Sequence, residues 1–223
     1  MELTQYLCPT VFFDFESQEI QNLVEKVRAN SSDESDASLS ARQIKMATDL
    51  YLFVRDGYRY NPYQISFRPE HYVASSLVIR KEGHCLDKSI ILIAGLRALG
   101  IPARLRLAKV KNHIGVERLV EKFGTNVMTP HGMVDIFLNK KWVKASPAFN
   151  QSLCEKCNVE PLGFDGVQDS IFQEYDRAGG QFMDYLEDYG SFEDVPVDFI
   201  KQNIVEHYPV ILSLYKGQEE FVI

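Results

Sequence analysis

The chain has 223 residues, of which 45% are hydrophobic and 25% are charged. This composition is typical of a globular protein that buries its own core, and we expect a single domain covering residues 1–223. The formal net charge of −7 argues against nucleic acid and against an anionic membrane surface as partners.

The sequence indicates neither export nor membrane insertion. The first 18 residues lack a basic region and an unbroken apolar run, and the longest apolar run, residues 90–96, is too short to cross a bilayer. Four cysteines are too few for a disulfide scaffold at this length. We therefore expect a cytoplasmic protein without membrane spans.

Two helices are predicted in the N-terminal part of the chain. The first follows Ser17 and repeats its apolar residues at helical spacing. The second follows Ser40, which forms a capping box with Gln43, and ends at Gly57. The polar segment between them, NSSDESDASLS at residues 30–40, predicts a linker or mobile loop.

A third helix is predicted from near Cys85 to Leu99. Gly100 is its expected left-handed cap, and Pro102 lies just beyond it. Apolar residues cover every face of this helix, which predicts a central element that is buried on all sides.

Beyond this helix, the hydrophobic pattern changes to alternation. Residues 103–110 predict a strand, and residues 131–147, HGMVDIFLNKKWVKASP, predict a hairpin that turns at Asn139 and Lys140. This turn pairs residue 137 with 142 and residue 133 with 146. A final helix is predicted after Pro196, and the fold class is α+β.

Cys85 is the first candidate for chemistry. At the first turn of a helix, unpaired N–H groups and the helix dipole stabilise a thiolate, so we expect a lowered pKa and an activated nucleophile. The same N–H groups are placed to hold an oxyanion during acyl transfer. The alternative is a cysteine that only packs in the core.

His131 is the candidate base, on the same face of the predicted hairpin as Asp135, Lys144 and Ser146. Asp135 falls opposite Lys144, which predicts a cross-strand ion pair. Ser146 is a diagonal neighbour of His131 at roughly 7 Å between backbones. A structural role for this histidine is the alternative.

Several of these segments together resemble the transglutaminase-like superfamily. The resemblance covers about residues 40–150 and is carried by Gly83-x-Cys85, by LRALGIPAR at residues 96–104, and by the His131 strand leading to Trp142 and Val143. The segment ASSLV at residues 74–78 fits as well.

This resemblance implies a papain-like core in which a helix with an N-terminal cysteine packs against an antiparallel sheet. It implies that Cys85 is the nucleophile and His131 the base, without a metal and without an organic cofactor. An N-terminal helix and a C-terminal helical extension would flank the core.

The chain departs from the family's pattern at Ser146. The family usually has an aspartate just before the proline that follows the tryptophan strand, whereas this chain reads WVKASP. A neutral hydroxyl stabilises an imidazolium less than a carboxylate does. Asn150 and Asp165 are the alternative partners for His131.

The remaining candidates have weaker patterns. Cys154 and Cys157 have the spacing of half a zinc site or of a redox pair, but two structural thiols are the favoured interpretation. His84 is either part of the site or faces solvent. Residues 109–126, which include His113, predict a lid or loop across one end of the cleft, and the acidic clusters at 184–188 and 193–194 predict a solvated surface.

The sequence therefore predicts cysteine-dependent acyl transfer at an amide, with hydrolysis of a peptide or small amide favoured over amine transfer. A non-catalytic member that uses the cleft for binding is the alternative, and a thiol redox protein is a third. The sequence does not indicate an oligomeric state.

Overall fold

The computed structural model describes residues 2–30, 38–214 and 220–222. The helices are α1 (Gln18–Asn30), α2 (Leu39–Gly57), α3 (Ala74–Val78), α4 (Cys85–Ala98), α5 (Glu117–Phe123), α6 (Gln151–Lys156), α7 (Val197–His207) and α8 (Pro209–Leu214). The strands are β1 (Arg59–Tyr60), β2 (Gln64–Ser66), β3 (Glu82–Gly83), β4 (Ala103–Asn112), β5 (Val127–Leu138), β6 (Lys141–Ala145), β7 (Met183–Phe192) and β8 (Glu220–Val222).

The main sheet has four antiparallel strands in the order β6-β5-β4-β7. Two short pairs lie outside it: β1 runs parallel to β3, and β2 runs antiparallel to β8. The predicted α+β fold, with a buried helix against an antiparallel sheet, is confirmed.

Helix α4 is the central element, as its uniform apolarity predicted. Every residue from Cys85 to Arg97 is buried, because β4 and β5 pack against the helix from the sheet and α1, α2 and α3 also pack on it. The helix ends as expected, with Gly100 in the left-handed region at φ 72°.

The β5–β6 hairpin has the predicted register. Phe137 pairs with Trp142 and Asp135 with Lys144, and both turn residues, Asn139 and Lys140, have positive φ. A two-residue turn of this kind matches the twist of the strands it joins. The hairpin therefore places His131 and Ser146 on one face.

The predicted ion pair between Asp135 and Lys144 is wrong. The Asp135 carboxylate accepts hydrogen bonds from Arg104 at 3.0 Å and from Arg106 at 3.2 Å, while Lys144 pairs with Asp169 at 2.7 Å. Asp135 is buried on β5 directly opposite Arg104 of β4. A guanidinium satisfies a buried carboxylate better than an ammonium on the exposed edge strand can.

Two features also differ from the sequence expectations, and a third expectation is not tested. The cap of α2 is Ser38, whose hydroxyl accepts from the N–H of Ala41, and not Ser40. The acidic cluster at 184–188 belongs to β7, which the alternation did not reveal, although its charged residues are largely exposed. The predicted linker at 30–40 lies mostly outside the described residues.

Lys88 joins three parts of the chain to α4. It is fully buried, and its ammonium donates to the carbonyls of Arg55 at 2.7 Å, Tyr58 at 3.0 Å and Ala148 at 2.8 Å. Burial lowers the pKa of Lys88 to about 7, and three acceptors for three N–H groups oppose that shift. The last residues of α2, the approach to β1 and the segment after β6 are thereby held at one point.

None of the helices that the structure describes combines the length and the apolarity needed to cross a membrane.

Replacing Lys88 by Met tests this junction. The three carbonyls lose their donor inside the core, so we expect the free energy of unfolding to fall by roughly 3 kcal/mol or more in urea titrations. Lys45→Met is the control, because Lys45 forms a partly exposed ion pair with Asp49 worth about 0.3–0.5 kcal/mol. Equal effects of the two substitutions would contradict a central role for Lys88.

Candidate active site

Cys85 is the first residue of α4, and the sequence around it forms a reciprocal cap. The imidazole Nδ1 of His84 accepts from the N–H groups of Leu86 at 3.2 Å and Asp87 at 3.5 Å, while the Asp87 carboxylate accepts from the N–H of His84 at 3.0 Å. This is a capping box with histidine at the cap position. It fixes the direction in which the chain enters the helix at Cys85.

The Cys85 thiol is buried, with 6% of the residue exposed. Burial raises its pKa from 9.0 to about 11, against the opposing effect of the nearby N–H groups of Gly132, Leu86 and Cys85 itself. The predicted lowering of this pKa is therefore wrong for the free protein. The helix terminus acts on the sulfur as expected, but loss of water outweighs it.

His131 lies on β5 with its ring buried. Its Nε2 is 3.4 Å from the Ser146 hydroxyl oxygen, a long hydrogen bond. Its Nδ1 is also buried and has no hydrogen-bond partner among the residues that the structure describes. Burial lowers the pKa of His131 to about 4, so the imidazole is neutral at physiological pH.

Gly132, which follows His131 on β5, lies against the turn that bears Cys85. A Cβ at this position would lie 2.9 Å from Leu86 Cα and 3.1 Å from the Cys85 carbonyl oxygen. The backbone of β5 therefore touches the first turn of α4, and a side chain would separate them. The backbone next to His131 therefore lies against the turn that bears Cys85, and Nε2 is the ring atom that is turned to Ser146.

The cavities on the two sides of this contact differ. Cys85 opens onto a narrow cleft of about 60 Å³, whereas His131 and Ser146 line a separate cavity of about 10 Å³ with Ala148 and Phe149. The cleft is lined by aromatic and aliphatic side chains, with no Asp, Glu, Lys or Arg among its lining residues. Its wall includes Leu119 and Phe123 of α5, so part of the 109–126 stretch borders the cleft. The stretch is not the predicted loop, because its first residues belong to β4 and residues 117–123 form α5.

Asn150 and Asp165, the alternative partners for His131, are engaged elsewhere. The Asn150 side chain accepts from the N–H of Tyr60 at 3.0 Å and donates to Ser152. Asp165 is exposed and accepts from the N–H groups of Val167 and Gln168. Of these three candidates, Ser146 is therefore the side chain that contacts Nε2 of His131.

His71 and His84 meet at Asp87. The Asp87 carboxylate accepts from His71 Nε2 at 3.1 Å and lies 3.6 Å from His84 Nε2, and Arg80 donates to His71 Nδ1 at 3.0 Å. Burial lowers the pKa of His84. Burial acts to raise the pKa of Asp87, but His84 and His71 hold it below its ordinary value.

These three side chains have the donor types of a metal site and lie within 4.8 Å of one another, but their hydrogen bonds oppose that use. Each Nδ1 accepts from an N–H donor, which places the ring proton on each Nε2 facing Asp87. A metal would need both Nε2 lone pairs, and the displaced protons would then face Arg80 and the helix N–H groups. The cluster fits a hydrogen-bonded support for the Cys85 turn.

The other sequence candidates lie away from Cys85. Cys154 is buried on α6, Cys157 caps that helix, and both are free thiols whose pKa values burial raises. They line a different cavity of about 60 Å³. His113 pairs with Asp184 at 2.8 Å, and His207 contacts Lys109 at 3.0 Å.

A family model described as the transglutaminase-like superfamily matches residues 22–147, more than half of the chain. The chain belongs to the transglutaminase-like superfamily. A search of curated proteins finds no match.

Among solved structures, the chain is similar to a "putative cysteine protease" from Cytophaga hutchinsonii. The sequence identity is 11% and the TM-score 0.43, with 82% of this chain and 63% of that chain covered. This chain therefore spans less than two thirds of that protein.

Three features of this transglutaminase-like site were not identified from the sequence: Gly132, the Asp87–His71 support, and Tyr60 on β1. The dipeptide His131-Gly132 offered a signal for the first, because glycine in a strand often marks close backbone approach. The capping-box spacing of His84 and Asp87 offered a signal for the second.

Gly132→Ala tests the contact between α4 and β5. The new methyl group would meet backbone atoms of the helix, so we expect a loss of roughly 1–3 kcal/mol in the free energy of unfolding. Gly163→Ala is the matched control, because a Cβ there meets nothing within 4 Å, and we expect a change within about 0.5 kcal/mol. Urea unfolding of both variants would measure the difference, and equal stabilities would contradict the contact.

Proposed function

We propose that the protein is a cysteine-dependent amidase that hydrolyses a peptide or a small amide. The observation that carries this proposal is the environment of His131. Its Nε2 is turned to Ser146, its buried Nδ1 is without a partner among the described residues, and the adjacent Gly132 touches the turn that bears Cys85. Membership in the transglutaminase-like superfamily supports the same assignment.

The reaction begins from a neutral thiol and a neutral imidazole. As the Cys85 sulfur attacks the amide carbonyl carbon, its proton passes to His131 Nδ1 and the carbonyl electron pair moves onto oxygen. The imidazolium then protonates the leaving amine as the C–N bond breaks, which leaves a thioester. Water then attacks the thioester with His131 again acting as base, the C–S bond breaks to release the carboxylic acid, and the proton on His131 returns to the Cys85 sulfur. Ser146 keeps the ring oriented throughout.

Hydrolysis of an apolar amide such as N-acetyl-phenylalanyl aminomethylcoumarin tests the proposal, because the cleft is apolar. Cys85→Ala and His131→Ala should each reduce kcat/KM by at least roughly 10³-fold, since each removes a participant in bond making. Cys8→Ala, which removes an exposed thiol, should retain activity within about twofold. A thioester adduct on Cys85 should appear by mass spectrometry after rapid quenching. Full activity of Cys85→Ala would refute the proposal.

A carboxylate introduced at position 146 tests whether His131 is the base. Because the pKa of His131 is lowered to about 4, kcat/KM should rise as the pH increases through about 4 and stay level towards neutrality. Ser146→Asp places a carboxylate beside Nε2, which favours the imidazolium and should raise the pKa of His131 by roughly 1–3. The acidic limb should move to higher pH by the same amount.

Ser146→Ala is the control for this experiment, since it removes the hydroxyl without adding charge and should leave the limb near its original pH. Titration of the His131 ring by NMR measures the same pKa without turnover. Identical His131 titrations in the Asp and Ala variants would show that residue 146 does not act on the ring.

A binding role for the same cleft is the second candidate function. It is favoured by the neutral residue at 146 and by the raised pKa of the thiol. In that case the amide would bind with equal affinity to wild type and Cys85→Ala, and neither would form a thioester nor release the amine.

A further inference from the structure

Tyr60 is held beside the nucleophile by the backbone. Strand β1 pairs with β3 so that Tyr60 lies opposite Gly83, two residues before Cys85. The N–H of Asn61 donates to the Gly83 carbonyl at 3.1 Å, and the N–H of Tyr60 donates to the Asn150 side chain at 3.0 Å. These hydrogen bonds fix the backbone position of Tyr60 relative to the start of α4.

The ring of Tyr60 is fixed as well. It packs edge-to-face on Phe149, with ring centroids 4.8 Å apart, and it forms part of the wall of the cleft onto which Cys85 opens. The Tyr60 ring and the Cys85 side chain therefore border one cleft.

The Tyr60 hydroxyl is buried and has no hydrogen-bond partner among the residues that the structure describes. Four buried tyrosines of the described residues differ in this respect. The hydroxyl of each donates to a main-chain carbonyl: Tyr51, Tyr58, Tyr72 and Tyr208. An unpaired buried hydroxyl is costly, and a group of this kind next to a nucleophile requires an explanation.

We propose that the Tyr60 hydroxyl is a catalytic hydrogen-bond donor that binds the carbonyl oxygen of the substrate and the oxyanion formed from it. This inference rests on the proposed amidase function. The phenol keeps its proton: the C–S bond forms, the carbonyl π pair moves onto oxygen, the thiol proton passes to His131, and the oxyanion accepts a hydrogen bond from the Tyr60 O–H group. Burial raises the pKa of Tyr60 well above its usual value, so the donor is present across the working pH range.

A neutral donor suits this cleft. The bond to Tyr60 is stronger when the oxygen carries a full charge than when it is a ground-state carbonyl, because charge-assisted hydrogen bonds are the stronger kind. The free hydroxyl is already in place, so little reorganisation is needed during the reaction. Its contribution should therefore appear mainly in kcat.

Tyr60→Phe removes the hydroxyl and leaves the ring in place. We expect kcat/KM for the coumarin amide to fall by roughly 10²-fold, mostly through kcat, while the midpoint of urea unfolding stays equal or rises because no bond in the free protein is lost. Tyr58→Phe is the matched control. It breaks the bond to the Val78 carbonyl, so its unfolding midpoint should fall while kcat/KM stays within about twofold.

Binding of N-acetyl-phenylalaninal separates this proposal from the proposed function. The aldehyde adds reversibly to Cys85 as a hemithioacetal whose oxygen occupies the oxyanion position, and Tyr60→Phe should weaken its binding by a factor similar to the loss in kcat. Alkylation by iodoacetamide forms no such oxygen, so its rate should be equal in wild type and Tyr60→Phe.

Each outcome has a distinct meaning. Unchanged hydrolysis and unchanged aldehyde binding in Tyr60→Phe would overturn the role of Tyr60 and leave the amidase function standing. Absence of both hydrolysis and hemithioacetal in the wild type would overturn the amidase function, and the role of Tyr60 with it.

Discussion

The ammonium of Lys88 and its three carbonyl acceptors determine how the parts of the site meet. Lys88 lies three residues after Cys85 on α4, and it binds the carbonyls of Tyr58 and Ala148. Tyr58 precedes Tyr60 by two residues, and Ala148 follows Ser146 by two. One buried cation therefore sets the distance between the helix that bears the thiol and the segments that bear the hydroxyl and the histidine's partner. Because three carbonyl oxygens accept from the buried ammonium, its position tolerates little movement.

Burial decides the protonation states around Cys85. The rise in the thiol pKa from 9.0 to about 11 corresponds to roughly 3 kcal/mol, whereas a helix terminus contributes about 0.3–1 kcal/mol to a neighbouring charge. Desolvation therefore exceeds the local field, and the same effect lowers the pKa of His131. In the free protein, the Cys85 thiol and the His131 imidazole are both neutral. In the proposed reaction, the thiol proton is therefore transferred during the attack, and no thiolate forms beforehand.

The features that local chemistry determines were predictable from the sequence, and those that depend on distant packing were not. The hairpin register follows from Asn139 and Lys140, whose positive φ values a two-residue turn requires, and α4 follows from its uniform apolarity. The partner of Asp135 could not be predicted, because Arg104 reaches it from β4, whose pairing with β5 the sequence left unspecified. The thiol pKa likewise depends on residues from several elements. The sequence indicated only a turn around Tyr60. The role proposed for Tyr60 rests on its buried hydroxyl, which has no hydrogen-bond partner among the described residues.

The cleft at Cys85 offers few charged groups to a reacting molecule. It has no Asp, Glu, Lys or Arg among its lining residues, and the side chain that contacts His131 Nε2 is the neutral Ser146. A low-dielectric environment strengthens each hydrogen bond to a charge that forms there. In the proposed reaction, donors such as the Tyr60 hydroxyl and main-chain N–H groups bind the carbonyl oxygen weakly before attack and the oxyanion strongly afterwards. Since only interactions that are stronger in the transition state accelerate the chemical step, the proposal needs only a few fixed dipoles and is compatible with Ser146 in place of a carboxylate.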